Sequence, residues 1–178
     1  MKLTKALASL LFFIGFGLLN FTLTGCNYKF SETGTIDPNV KTVKVNLIQN
    51  VATYINPQLS PNLTEKLRQK INNQTKLSLT NSDNAHWIID GQITDYNFST
   101  VGVTSNDGKS ETSINRLTIT VRIMLTRQIE NKEPEEYTAT RQIDFKANLS
   151  QQEAESKNLD EIVRNLTDEI FNRLFSNW

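Results

Sequence analysis

The chain has 178 residues, of which 21% are charged and 38% hydrophobic, with 19 basic and 19 acidic side chains, one histidine and one cysteine. The balanced charge leaves no basic excess that would attract nucleic acid or an anionic membrane surface. A single cysteine cannot form an internal disulfide, so another use of its thiol is expected.

The first 25 residues have the layout of a secretory signal peptide. Lys2 and Lys5 form a basic start, and the apolar run ALASLLFFIGFGLL follows. That run is shorter than the roughly 20 apolar residues that a membrane-spanning helix needs. Residues 23–26, at the end of this segment, are Leu-Thr-Gly-Cys, which resembles the bacterial lipobox. In a lipobox the cysteine sulfur carries diacylglycerol, and the chain is cut just before the cysteine.

Cys26 is therefore predicted to be lipidated and to become the first residue of the mature protein. Several acyl chains, palmitate among them, anchor a protein stably, whereas a single chain holds it only marginally. Asn27, rather than aspartate, follows the cysteine, so we expect an outer-membrane, extracytoplasmic location. Residues 26–40 are predicted to be a tether, and residues 41–178 a single domain.

The domain begins with a predicted strand and a predicted helix. KTVKVNLI (41–48) alternates as a half-buried strand does, with Val43, Val45 and Leu47 on one face. Asn-Pro and Ser-Pro pairs then predict a helix start. The apolar face of this helix consists of residues spaced by four: Leu59, Leu63, Leu67 and Ile71. KLSLT (76–80) is predicted to be a short strand.

Three longer strands are predicted next. In HWIIDGQITDYNFST, Trp87 and Ile93 share one phase and Tyr96 has the other, so a bulge near Gly91 or Asp95 is expected. After a predicted turn at 106–108, SINRLTITVRIMLTRQI alternates regularly and is long enough to form a hairpin. The inner face of the third strand is predicted from its apolar positions: Tyr137, Ala139, Ile143, Phe145 and Ala147.

A second helix is predicted over roughly 157–176, where apolar residues form a continuous stripe. Strands with one apolar face and two helices with one stripe each favour an α+β fold. We expect a mixed, mostly antiparallel sheet of about four to five strands, with both helices packed on one face. The other sheet face is predicted to be polar.

Motifs for catalysis or cofactors are nearly absent. His86 is the sole histidine, so a histidine metal cluster cannot form. No serine lies in a Gly-x-Ser-x-Gly setting, and the glycines are not spaced as a phosphate-binding loop. Glu153 and Glu155, near a helix start, are interpreted as solvated charges that favour the positive end of the helix dipole. We therefore expect no enzyme, no metal and no cofactor.

The order of the segments, from the lipobox through NPQLSPNLTEKLRQKI and TKLSLTNSDNAHWIIDGQITDYNFS to the hairpin and terminal helix, resembles the LptE-type lipopolysaccharide-assembly lipoproteins, in particular the Bacteroidetes variant. The resemblance implies an outer-membrane lipoprotein that plugs a large LptD-like β-barrel translocon. Such a protein helps the barrel fold and helps lipopolysaccharide reach the cell surface.

Lipid A phosphates are anionic and would be bound by Arg or Lys. Arg116 and Arg122 share a face of the long strand, and Lys146 has the corresponding phase on its neighbour. We expect these three to form a modest basic stripe, or alternatively to pair with Asp144 or Glu111.

Two other classes of protein stay open on the sequence. One is an envelope lipoprotein of the curli-export or cell-wall-synthase-activator kind, although Thr118, Thr120 and Arg122 would be poor lipid-facing residues in a pore. The other is a lipid-anchored enzyme or small-ligand carrier. A carrier would require an apolar cavity larger than ordinary packing voids.

Overall fold

The computed structural model describes residues 36–105 and 111–175. Cys26, the signal peptide, most of the predicted tether and the predicted turn at 106–108 lie outside these residues. The described part contains six strands and two helices, which in chain order are β1 (Thr42–Val45), β2 (Gln49–Asn50), α1 (Leu59–Gln74), β3 (Ser78–Leu79), β4 (Trp87–Ser105), β5 (Glu111–Arg127), β6 (Glu135–Lys146) and α2 (Gln151–Phe175).

The strands form one mixed sheet in the order β3-β1-β4-β5-β6, and β2 pairs with β4 beyond the end of β1. The pairs made by β1, β2 and β3 are parallel and short, whereas β4–β5 and β5–β6 are long and antiparallel. The predicted α+β class is confirmed. The sheet has six strands rather than four or five, because strands of two residues, such as β2, are too short to show an alternating pattern.

The sequence misassigns one side chain in the first strand. Leu47, predicted to face the core, is 57% exposed, and Ile48 is fully buried instead. Val45 pairs with Ile89, and Gln49 pairs with Gln92. Between these two pairs the chain advances by four residues while β4 advances by three. This one extra residue reverses the alternation, so Ile48 rather than Leu47 faces the core with Val43 and Val45.

The expected bulge in β4 is confirmed. Ile93 pairs with Val121 while Asp95 pairs with Thr120, so Thr94 is the extra residue. This extra residue brings both Ile93 and Tyr96 onto the core side of the sheet, where both are buried. A second irregularity lies between Thr100 and Gly102.

Both helices pack on one face of the sheet, and the predicted apolar faces are buried. All four predicted residues of α1 are fully buried. Helix α2 begins at Gln151, six residues earlier than predicted, because Ser150 and Glu153 form a capping box. The Ser150 amide donates to Glu153 Oε2 at 2.9 Å, and the Glu153 amide donates to Ser150 Oγ at 3.2 Å.

Strand β6 is an edge of the sheet. Its inward-facing Arg141 forms an ion pair with Glu169 of α2. An inward-pointing charge on an edge strand disfavours pairing with another chain. Ala147, predicted as the last inward residue of this strand, lies beyond its end and is exposed.

The described domain reaches into the predicted tether, since Val40 is buried and Ile36 packs partly against the core. Neither described helix is long and apolar enough to cross a membrane.

Candidate functional site

The sheet face opposite the helices is polar and uncovered within the described part of the chain. Its side chains alternate with the buried residues of β5 and β6 and are exposed or half-buried, and they include Thr118, Thr120, Arg122, Met124, Thr138, Thr140 and Gln142. Uncharged hydroxyl and amide groups predominate at its centre. Such a surface can form hydrogen bonds with water or with another polar surface.

Arg116 and Asp144 face each other across β5 and β6 on this open face. Arg116 Nε donates to Asp144 Oδ1 at 2.6 Å, and Nη2 donates to Oδ2 at 2.9 Å. The hydrogen bond from the guanidinium lowers the pKa of Asp144 below its ordinary value. Arg116 is thus already engaged by a carboxylate, in the bidentate geometry that phosphate would also use.

Arg122 and Lys146 lie on the same open face but are further apart than the predicted stripe suggests. Arg122 Nε is 3.4 Å from Glu136 Oε1, and Lys146 is exposed opposite Ile114. Arg116 and Arg122 are six residues apart on one strand, or about 20 Å. Lys146 is diagonal to Arg116, at about 7–8 Å. One phosphate group therefore cannot contact all three, although Arg116 and Lys146 are close enough to share an anion.

Arg122 also lines an open cleft of about 470 Å³ at the end of β1. The other lining residues are mostly polar and include Asn46, Gln49, Asp90 and Gln92. A second cleft, of about 660 Å³, runs between the outer faces of α1 and α2 and is lined chiefly by charged and amide side chains. Neither cleft is the enclosed apolar cavity that a carrier of apolar ligands would need.

The stretch Asp-Gly-Gln-Ile-Thr-Asp-Tyr, residues 90–96, is the part of β4 that contacts the segment following β1. Asp90 Oδ1 accepts a hydrogen bond from Asn46 Nδ2 at 2.8 Å. A Cβ atom at Gly91 would lie 2.9 Å from Ile48 Cγ1 and 2.9 Å from Ile123 Cδ1. The glycine is needed because Ile48 packs directly on the backbone of β4.

At the C-terminal end of the 90–96 stretch, Glu155 of α2 is buried beside Tyr96. Tyr96 Oη donates to Glu155 Oε1 at 3.0 Å, and Asn56 Nδ2 donates to Oε2 at 3.2 Å. Burial and the negative charge of Glu155 together raise the pKa of Tyr96 far above its ordinary value. The interpretation of Glu155 as a solvated charge is wrong, because the residue is only 7% exposed. One signal was available, since Glu155 is in helical phase with Leu159, Ile162 and Leu166.

A comparison with known protein families identifies the family that this chain matches. Residues 40–174 match the LptE family, described as Lipopolysaccharide-assembly. The chain belongs to this family. The match spans nearly all of the described domain rather than one short motif. No curated protein sequence matches the chain.

Several solved structures are similar to this chain at low sequence identity. A neuraminyllactose-binding hemagglutinin homologue from Helicobacter pylori is 10% identical, with a TM-score of 0.58 over 81% of this chain and 88% of that chain. A minor lipoprotein from Acinetobacter baumannii is 20% identical, with a TM-score of 0.38 over 77% and 97% of the two chains. Rare lipoprotein B from Shewanella oneidensis is 11% identical, with a TM-score of 0.40 over 73% and 89%. The first likeness shows the fold alone.

His86 has a structural role in this LptE-family chain. Its Nδ1 accepts a hydrogen bond from the Lys41 amide at 2.9 Å, and its own amide donates to Thr42 Oγ1 at 3.0 Å. These bonds fix the start of β1 beside the start of β4. No group of three or more His, Cys, Asp or Glu residues that could hold a metal ion occurs among residues 36–105 and 111–175.

Proposed function

We propose that this protein is an outer-membrane lipoprotein subunit of a lipopolysaccharide translocon, anchored through lipidated Cys26. In this role it acts as the plug and assembly partner of a large LptD-like β-barrel and requires no catalytic chemistry. The observation that carries the proposal is the LptE match over residues 40–174. The lipobox-like ending of the predicted signal peptide supports the anchor and the extracytoplasmic location.

The polar sheet face suits a plug. The interior of a large outer-membrane barrel is polar, and barrels of about 22 strands hold a folded plug in the lumen. The open face of β5 and β6 offers threonine, glutamine and paired charges to such a wall. The β4–β5 hairpin also continues past Lys146, the last residue of β6, and so extends the sheet beyond its edge strand.

Phosphate binding by Arg116, Arg122 and Lys146 is part of this proposal. Arg122 is half exposed and its ion pair with Glu136 is long at 3.4 Å, so its guanidinium can exchange a carboxylate for a phosphate. Charge reversal at Arg116 and Arg122 together should weaken lipopolysaccharide binding by about tenfold or more, because repulsion replaces charge-assisted hydrogen bonds.

Arg173→Glu is the matched control for this test, since Arg173 is an exposed cation on α2, away from the open face. Binding of purified lipopolysaccharide would be measured for each variant at fixed salt, because ionic contacts weaken as salt rises. Unchanged binding in the Arg116 and Arg122 double variant would remove these residues from the proposal.

Depletion of the protein in its own bacterium tests the proposed function. Lipopolysaccharide at the cell surface should fall while total lipopolysaccharide does not. A plasmid copy should restore surface lipopolysaccharide, and a copy with the signal peptide deleted should not. Normal surface lipopolysaccharide after depletion would contradict the proposal, and a defect in cell-wall synthesis alone would favour the activator class.

Cys26→Ser should release the protein from membranes and leave the domain folded, because the described core is built from residues 36–175 without this thiol. Membrane fractionation and far-ultraviolet circular dichroism of the soluble protein would test both parts. A spectrum lacking wild-type secondary structure would contradict the second part, and unchanged membrane retention would contradict the first.

A further inference from the structure

The segment between β1 and α1, residues 46–56, carries an unusual concentration of exposed apolar side chains. Leu47 is 57% exposed, Val51 54%, Tyr54 39% and Ile55 60%. These are four of the eight large hydrophobic residues that are exposed in the described part of the chain. We infer that this segment, here called the apolar segment, docks through its exposed apolar side chains on an uncharged, apolar patch of the barrel partner. This inference rests on the proposed function.

The apolar segment is bound to β4 by backbone hydrogen bonds, so its position is set by the fold. The Asn46 amide donates to the Ile89 carbonyl at 2.9 Å, and the Val51 amide donates to the Ile93 carbonyl at 3.0 Å. Between these two points β2 pairs with β4. The backbone of the segment is thus fixed along β4, while Leu47, Val51 and Ile55 remain more than half exposed.

Helix α1 and the core also contact the same segment, on the side away from solvent. The Ile48 amide donates to Thr64 Oγ1 at 3.0 Å, and Ser60 Oγ donates to the Ile48 carbonyl at 2.5 Å. Tyr54 packs on Tyr96 with ring centroids 5.1 Å apart. A surface that is ordered before binding loses less conformational entropy when a partner docks.

The charge pattern identifies the kind of partner. No charged residue occurs from Val45 through Thr64, a run of twenty residues in a chain that is 21% charged. The polar residues among the apolar ones are asparagine, glutamine, serine and threonine. Protein interfaces have cores depleted of charge and enriched in aromatic residues. Surfaces that bind anionic lipid instead combine apolar side chains with lysine or arginine, and this run has neither.

The apolar segment is continuous with the open sheet face. Leu47 lines the same cleft as Arg122 and Met124 of β5, and Met124 is itself 41% exposed. The proposed function places the open face against the barrel wall, so the same partner is within reach of Leu47. A second copy of the chain could bind at Leu47 only by displacing the barrel wall, so the barrel is the occupant that we infer.

The test introduces a charge into the apolar segment. A tagged Val51→Asp/Ile55→Asp double variant would be purified from native membranes in mild detergent and compared with wild type and with Lys66→Asp. Lys66 is an exposed residue of α1 outside the segment. The double variant should recover at least about tenfold less β-barrel than wild type. A tenfold loss corresponds to about 1.4 kcal/mol of binding free energy. Lys66→Asp should recover the wild-type amount, and circular dichroism should show all three proteins equally folded.

Equal recovery by the double variant and wild type would overturn the inference while leaving the proposed function intact. Absence of any barrel in the wild-type sample would instead overturn the proposed function on which the inference rests.

A photo-crosslinking residue at Leu47 or Ile55 identifies the occupant directly. An adduct with the mass of the chain plus the barrel supports the inference. An adduct of two copies, an internal cross-link to the chain's own residues, an adduct with lipid, or no adduct at either position would overturn it.

Discussion

Gly91→Ala is the substitution that most directly tests how the segment after β1 is held against β4. The new Cβ would lie 2.9 Å from Ile48 Cγ1 and 3.3 Å from Ile48 Cγ2, as well as 2.9 Å from Ile123 Cδ1. The δ carbon of Ile123 ends a side chain and can rotate away. The γ carbons of Ile48 can move only by rotation about χ1, which is restricted in a β-branched side chain, or by a shift of the backbone.

Overpacking of a core typically costs about 1–3 kcal/mol. Replacing glycine by alanine recovers about 0.4–1 kcal/mol by restricting the unfolded chain. The net loss at Gly91 should therefore be about 1–2 kcal/mol, which corresponds to a decrease of about 0.5–1 M in the urea midpoint. Urea unfolding followed by circular dichroism measures this decrease.

A double-mutant cycle shows whether Ile48 is the cause. Ile48→Ala removes both γ carbons and alone should cost about 2–5 kcal/mol. Combined with Gly91→Ala, the loss should be smaller than the sum of the two single losses by about 1 kcal/mol, because the new methyl group enters the vacated space. Ile48→Val keeps both γ carbons and should show no such coupling. Wild-type stability of Gly91→Ala, or additive losses in the Ile48→Ala cycle, would refute the packing explanation.

Two further predictions concern the buried Glu155 cluster. Glu155→Ala leaves the Tyr96 hydroxyl and the Asn56 amide without their partner, so the free energy of unfolding measured by urea titration should fall by about 2–4 kcal/mol. The control Glu161→Ala, at an exposed site on the same helix, should change this free energy by less than about 0.5 kcal/mol. Equal effects of the two substitutions would contradict the role of Glu155. The pKa of Tyr96 is raised in the folded state by burial and by Glu155. The stability that the neutral Tyr96 hydroxyl contributes is therefore full below about pH 10 and is lost as the pH rises further, by up to about 1.4 kcal/mol per pH unit. Tyr96→Phe should lose stability less steeply than wild type between pH 10 and 11, and parallel slopes would contradict the assignment.

The long elements were predictable because their hydrophobic periods are regular. In β5, Leu117, Ile119 and Val121 alternate with polar residues over a whole strand, and all three are buried. In α1, the spacing of four gave the buried face correctly. Such patterns depend only on the geometry of the element and on which of its faces is covered.

The segment after β1 was not predictable, because its conformation depends on pairing with a distant strand. Leu47 and Ile48 are both apolar, and only the registers of β1 and β2 against β4 decide which of them is buried. Glu155 was missed because a buried carboxylate requires partners, and Asn56 and Tyr96 are brought to it by tertiary structure. The capping box at Ser150 is a local pattern that the sequence does contain.

The predicted basic stripe shows a second limit of prediction from sequence. Strand phase correctly places Arg116, Arg122 and Lys146 on one face, but it does not show which carboxylates share that face. Asp144 and Glu136 do, and each lies beside an arginine. A strand pattern gives the direction of a side chain, whereas its electrostatic surroundings depend on the register of the neighbouring strand.

The measurement that tests the central claim most directly is recovery of the tagged protein from native membranes in mild detergent, followed by gels of heated and unheated samples. The account predicts a large β-barrel at a one-to-one ratio, recognised because it migrates differently before and after heating. Recovery of the protein alone, in copies of itself, or with a cell-wall synthase would contradict the account.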